Sequence, residues 1–282
     1  MNKRLECTVS YRTIEIKFDS SNFLKKKLVQ LNKRGDMHPI LFQIGSVTFY
    51  THGVLAVIGI VLGSFVVYRL AKSNNLDTTF FFDNIVFTTL FGIIGARVAY
   101  FLIYPSSFES WTKVFYLWEG GLVSYGGFFL GIITFILLLR KQGQPVMKWL
   151  DVAAIGFFLG LLIGRIGDLF AGEFAGVPTN SRLLSILPNN NLIAIPFFEA
   201  LLCLLIVITA TLLYRRNYNN LTQRNLFLGS FFFYGLGRFI IDFGRYENDI
   251  ILHLSLGQIV SLSVAIIALL LIILGARKKE LI

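Results

Sequence analysis

Seven separate stretches of predominantly apolar residues run through this chain, at roughly 51–70, 80–104, 121–139, 151–170, 193–214, 226–243 and 257–276. Each is long enough to cross a hydrocarbon layer of about 30 Å at about 1.5 Å per helical residue. Hydrocarbon offers no partner for backbone N–H and C=O groups, so each run must satisfy its own and is expected to be a helix. The runs lack the in-out alternation of a membrane barrel. Composition agrees: 55% of the 282 residues are hydrophobic, 15% are charged and mean hydropathy is +0.68, against about 25% charged in soluble domains. The expected fold is all-α, a polytopic membrane protein of about seven transmembrane helices.

The formal charge of +10 would point to nucleic acid in a soluble protein, but here the basic residues sort by loop. Arg69, Lys72, Arg140, Lys141, Lys148, Arg215, Arg216, Arg224, Arg277, Lys278 and Lys279 lie on one side, and only Lys113, Arg182 and Arg245 on the other. Positive loops stay in the cytoplasm, which puts the N-terminus outside and the C-terminus inside, with no nucleic-acid partner implied. Two connections long enough to hold structure, about 105–120 and 171–192, then form a small extracytoplasmic cap. Residues 1–36 run against this sorting with nine Lys and Arg. They are expected to be a basic polar tail, disordered or preceding a true start at Met37, with residues 37–282 as the membrane domain. No apolar segment of signal-peptide type opens the tail. Cys7 and Cys203 have neither CxxC spacing nor a nearby histidine, so no disulfide, metal or cofactor is expected.

Arg97, Arg165 and Arg238 fall inside the apolar runs, where an arginine costs about 2.5–3.5 kcal/mol on insertion scales. All three lie in the outer half of the bilayer on the topology above. Each has a local explanation: Arg238 can pair with Asp242 one turn on, and any of them can extend its head to the interface. Three at one depth suggest instead a cationic cavity open to the outer leaflet, suited to a phospholipid phosphate through forked guanidinium hydrogen bonds. Gly156, Gly160 and Gly164 recur every fourth residue before Arg165 and imply a close helix-helix seam. Gly120-Gly121 and Gly126-Gly127 flank Tyr125, where glycine permits a turn or a ligand's approach.

The segments GGLVSYGGFFLG (120–131), GRIGDLFAGEFAGVPT (164–179) and YGLGRFIIDFGR (234–245) resemble the bacterial prolipoprotein diacylglyceryl transferase family. HPILFQIG before the first run, GIIGARVAY (92–100), IPFFEA (195–200) and LGQIVS (256–261) extend the resemblance in the family's order. It implies transfer of the diacylglyceryl group of phosphatidylglycerol to the lipobox cysteine of a preprolipoprotein. A thioether forms and glycerol phosphate leaves, in the bacterial cytoplasmic (inner) membrane. By the same resemblance Arg165 and Arg238 are the essential arginines and Arg97 a further one. Glu173 and Gly176 belong to a GExxG segment, Glu199 and Asp242 are acidic site residues, Gln258 is the seventh-helix glutamine, and Gly126 and Gly127 face the headgroup.

Several positions depart from the family pattern. His52 stands where the family has tyrosine, Tyr125 where many members have histidine, and Asp168 where it has asparagine; Ile195 and Val177 replace a histidine and an arginine. An Asp168 paired with Arg165 removes about one positive charge from the field a phosphate would meet. His52, with an ordinary pKa near 6.5, suits a general base for the thiol, and Tyr125 suits orientation by hydrogen bonding. The catalytic set expected is Arg165, Arg238, His52, Tyr125 and Asp168. A second reading is a relative that binds phospholipid without catalysis. A secondary transporter is disfavoured, because paired Gly/Pro-broken helices in two matching halves are missing.

Overall fold

Among the described residues, Thr51–Ser73 (α1), Thr78–Ile103 (α2), Ser124–Lys141 (α3), Val146–Ala171 (α4), Ile195–Arg216 (α5), Leu226–Ile241 (α6) and Leu256–Glu280 (α7) are seven helices long and apolar enough to cross a membrane. They appear in a computed structural model that describes residues 40–44, 47–105, 108, 111–116, 121–173, 176–185, 192–216, 226–245 and 254–280. The protein is polytopic, as the apolar runs require. The tail 1–36, including Cys7, lies outside the described residues.

Helix ends follow local chemistry. The Asp77 carboxylate accepts the amides of Thr79 (3.0 Å) and Phe80 (3.3 Å) and so starts α2. Ser255 and Gln258 form a reciprocal capping box at α7: Gln258 Oε1 accepts the Ser255 amide at 2.9 Å and Ser255 Oγ accepts the Gln258 amide at 3.3 Å. The family-matched glutamine therefore sits as a cap.

The structure adds a β-hairpin that the apolar pattern did not announce. Ile40–Ile44 (β1) pairs antiparallel with Val47–Tyr50 (β2), and Phe42 stacks on Phe49 at 4.5 Å. Its nine residues are too short and too uniformly apolar to be distinguished by periodicity from the entry to a helix.

Glycine sets which helices touch. A Cβ at Gly63 would lie 2.5 Å from the Gly156 carbonyl oxygen, and one at Gly59 2.5 Å from that of Gly160, so α1 and α4 meet backbone to backbone. A second seam joins α2 to α3: a Cβ at Gly95 would lie 2.5 Å from the Gly126 oxygen. Gly164 departs from the expected series, for a Cβ there meets nothing within 4 Å. The two seamed pairs barely touch each other, and a cavity of about 600 Å³ lies between them. At the end where α2 and α4 begin, a core of Phe80, Phe81, Phe135, Leu139, Trp149 and Leu150 ties the pairs together.

Gly63→Leu is expected to destabilise the fold by about 1–3 kcal/mol through forced overpacking. Gly229→Ala, where a Cβ meets nothing within 4 Å, is expected to be neutral. Thermal unfolding in detergent compares the two.

Candidate functional site

α4 carries Arg165 and Asp168 three residues apart, on one face of its last turns, and then stops at Gly172. That glycine takes φ +70°, where an L side chain is disfavoured. The amide of Gly172 bonds the Leu169 oxygen and that of Glu173 bonds the Asp168 oxygen. This reversal brings Glu173 back beside Asp168 and beside His52 at the start of α1. One potential ligand atom from each of the three lies within 4.8 Å of the others. By distance they could hold a divalent cation, but Arg165 Nη1 stands 2.7 Å from Asp168 Oδ2 and opposes one there.

From Asp168 a line of alternating charges crosses the bundle. His52 Nδ1 contacts Asp168 Oδ1, and Arg165 Nη1 donates to Asp168 Oδ2 at 2.7 Å. Arg165 Nε lies 2.8 Å from Glu199 Oε2, and Glu199 Oε1 lies 2.7 Å from Arg238 Nη1. Arg238 Nε is 3.6 Å from Asp242 Oδ2, and Asp242 Oδ1 is 3.5 Å from Arg245 Nη1. Three guanidinium groups face three carboxylates, so the line is neutral, or +1 with His52 protonated. Glu199, on α5, is fully buried between two arginines. Both of its oxygens sit at ion-pair distance without aligned N–H bonds. Removing such a shared countercharge leaves two buried cations short of a partner.

Tyr125, at the outer start of α3, reaches the same line. Its hydroxyl accepts from Arg238 Nη2 at 3.1 Å, and its ring lies 5.5 Å from the Arg238 guanidinium carbon. Accepting there leaves the phenol proton to donate elsewhere. Among the described residues Arg165 Nη2 has no protein partner, and Arg165, Asp168 and His52 line the mouth of the 600 Å³ cavity. The His52 side chain is 43% exposed, so its far ring nitrogen is reachable.

Of the three arginines expected in one cavity, Arg165 alone lines it; Arg238 joins Arg165 through Glu199, and Arg97 is engaged elsewhere. Arg97 donates to four backbone carbonyls of the segment after α2: Val114 at 2.8 Å, Lys113 at 2.7 Å, Gly121 at 3.0 Å and Tyr116 at 3.0 Å. Its guanidinium carbon also lies 4.9 Å from the Phe108 ring. These contacts clamp the cap segment onto α2, which is a positioning task. Gly126 packs on Gly95 and Ala99, and Gly127 lies against Gly92 and Ala96 on the cavity wall. Gly176 pairs with Arg245 as an isolated bridge, and a Cβ there would lie 2.3 Å from the Gly244 oxygen. It therefore holds the end of α6 against the cap.

Two residues of the site escaped the sequence reading. Tyr234 accepts from Arg238 Nη1 at 3.2 Å, one turn before it on α6. Arg245, taken above only as a loop charge, ends the ion line. The helical spacing to Arg238 was the available signal for the first, and the three-residue step from Asp242 for the second.

A profile of the prolipoprotein diacylglyceryl transferase family matches residues 39–274, a span that contains the whole ion line. A protein of Wolbachia pipientis subsp. Culex pipiens named phosphatidylglycerol--prolipoprotein diacylglyceryl transferase is 30% identical over 260 residues, covering 85% of this chain and 95% of its own length. One of that name from Halalkalibacterium halodurans is 30% identical over 245 residues, covering 82% of this chain and 84% of its own. Another, from Parasynechococcus marenigrum, is 34% identical over 154 residues, about half of each chain. By a profile that spans all but the tail and the last turns of α7, and by relatives matched over most of its length, this chain belongs to the prolipoprotein diacylglyceryl transferase family.

Proposed function

We propose that this chain, in the bacterial cytoplasmic membrane, moves the diacylglyceryl group of phosphatidylglycerol to the lipobox cysteine thiol of a preprolipoprotein signal peptide. One observation carries the reading. A histidine-aspartate pair and the open Nη2 of a buried arginine share the mouth of a lipid-sized apolar cavity.

The reaction needs a thiolate and a stabilised phosphate leaving group. With His52 Nδ1–H donating to Asp168, the other ring nitrogen keeps its lone pair and takes the thiol proton. Sulfur then attacks the glycerol carbon that bears phosphate; the C–S bond forms, the C–O bond breaks, and glycerol phosphate departs with the bonding pair. The phosphate gains one negative charge in that step. Protonation of His52 moves the ion line from neutral to +1 at the same moment, so the countercharge grows where the leaving group needs it. Arg165 Nη2 and the Tyr125 hydroxyl are the donors for the phosphate oxygens. Glu199, Asp242 and Tyr234 hold the guanidinium groups in place, and Arg97 orders the cap segment. The expected loss of field from Asp168 is thus confined to the resting state.

Incubation with phosphatidylglycerol and a lipobox peptide is expected to give a thioether-linked diacylglyceryl mass on cysteine. Bound phospholipid without product would favour the non-catalytic reading. His52→Ala is expected to slow transfer about 10²-fold or more while lipid binding persists; transfer at the parental rate would remove His52 as the base.

Asp168→Asn separates binding from chemistry. It raises the resting charge of the line by one, so KM should fall several-fold, while the poorer imidazole partner lowers kcat about 10²-fold or more. An unchanged kcat would reduce Asp168 to a partner of Arg165. Glu199→Gln should cost about 3–5 kcal/mol of stability, read by thermal unfolding, because it strips the shared countercharge.

A further inference from the structure

The hairpin ahead of α1 is unlike a ribbon built for water. Ile40, Leu41 and Phe42 of β1 are 49%, 49% and 45% exposed, and Tyr50 at the end of β2 is 59% exposed. Successive strand residues point to opposite faces, so both faces of the ribbon are open and both are apolar. A strand edge that meets water is ordinarily protected by charge, often lysine, yet residues 38–51 contain no Lys, Arg, Asp or Glu. A two-stranded ribbon is marginal by itself in water, and this one leaves large apolar side chains uncovered by protein.

Its place on the chain decides what covers it. Tyr50 ends β2 and Thr51 begins α1 with no linker. Lys72, in the last turn of α1, stands 21 residues after Thr51, about 32 Å at 1.5 Å per residue. A hydrocarbon core is about 30 Å thick, so a lysine at the inner boundary puts Thr51 at the outer one. Tyr104, which ends α2 on the same side, is 48% exposed, and exposed tyrosines at helix ends mark the level of the headgroups. The register pairs Ile40 with Tyr50 and Phe42 with Phe49, with an irregularity at Leu41 between them. All three apolar residues of β1 therefore lie opposite the last two of β2, within about 7 Å of the start of α1. The headgroup layer beyond the core is about 5–8 Å deep. Upright or flat, the base of the ribbon stays inside it. A second chain or a peptide strand would have to displace lipid already at this level.

We propose that the hairpin is a membrane-surface element whose base, Ile40, Leu41, Phe42 and Tyr50, inserts both faces into the headgroup boundary of the outer leaflet. The stacked Phe42–Phe49 pair, 4.5 Å between centroids, forms the wedge. The contact ends two residues before His52, so the lipid surface reaches the edge of the site. It does not depend on which group the site transfers.

The test uses the full chain carrying Cys7→Ser, reconstituted in vesicles of equal parts phosphatidylcholine and phosphatidylglycerol. Nitroxide spin labels are placed at Leu41→Cys and, separately, at Phe42→Cys; Cys203 is fully buried, and the chain without an added cysteine gives the background. Power saturation compares collisions with oxygen, which concentrates in lipid, and with a nickel chelate, which stays in water. Both labels are expected to favour oxygen at least as strongly as a nitroxide carried on a lipid headgroup. Preference for nickel at both positions would overturn the proposal. So would an oxygen preference lost when the protein is diluted in the vesicles, which marks a second copy, or protection that appears only with an added lipobox peptide, which marks a docked strand. The unsubstituted chain gives an independent reading: a lipid with a photoreactive group at its glycerol should label the peptide spanning residues 40–50. Absence of label there would also overturn the proposal.

Discussion

Glu199 is the residue on which the site depends. Two arginines inside an apolar bundle repel each other and are costly to desolvate, and neither could stay buried unless a countercharge met both. Glu199 does so from α5, with Arg165 of α4 at 2.8 Å and Arg238 of α6 at 2.7 Å. Three helices are thereby joined at one depth by charge, where apolar packing alone would leave their rotation undetermined. Asp168 and Asp242 extend the same pattern to either side, so that each guanidinium is held by two carboxylates. The outcome is a nearly neutral site whose surplus positive charge depends on one proton at His52.

The glycine seams make room for this arrangement. Backbone contact at Gly63–Gly156 and Gly95–Gly126 concentrates the packing of four helices into two pairs and leaves the space between them open. Gly59, Gly63, Gly156 and Gly160 of the first seam also line the cavity, as do Gly92 and Gly127 beside the second. The aromatic core around Trp149 closes the far end. Aromatic packing at the bottom and ion pairing at the top leave the middle open.

The departures from the family pattern read differently once contacts are known. In sequence, His52 for tyrosine, Tyr125 for histidine and Asp168 for asparagine are three separate changes. In the fold, His52 touches Asp168 and Tyr125 touches Arg238. A histidine on α1 with an aspartate beneath it is one physical unit, because the carboxylate holds the imidazole in a single tautomer. The tyrosine then occupies the other side of the guanidinium line. The aspartate that looked like a weakening of the arginine field is also the contact partner of the histidine.

Much of the architecture was legible from residue order. Hydrocarbon thickness sets the length of a span, so the seven apolar runs predicted the seven helices, with starts differing by at most about five residues. Helical spacing likewise announced Asp168 beside Arg165 and Asp242 beside Arg238, since neighbours three and four apart share a face. The short hairpin was not legible, and neither was the fate of Arg97, which resembles Arg165 in its flanking glycines but spends its donors on carbonyls of the cap segment. Nothing in a helix's own sequence states how far it is rotated against its neighbours. That rotation is set by contacts between distant segments, and it alone decided that Glu199 lies between two arginines and that His52 stands over Asp168.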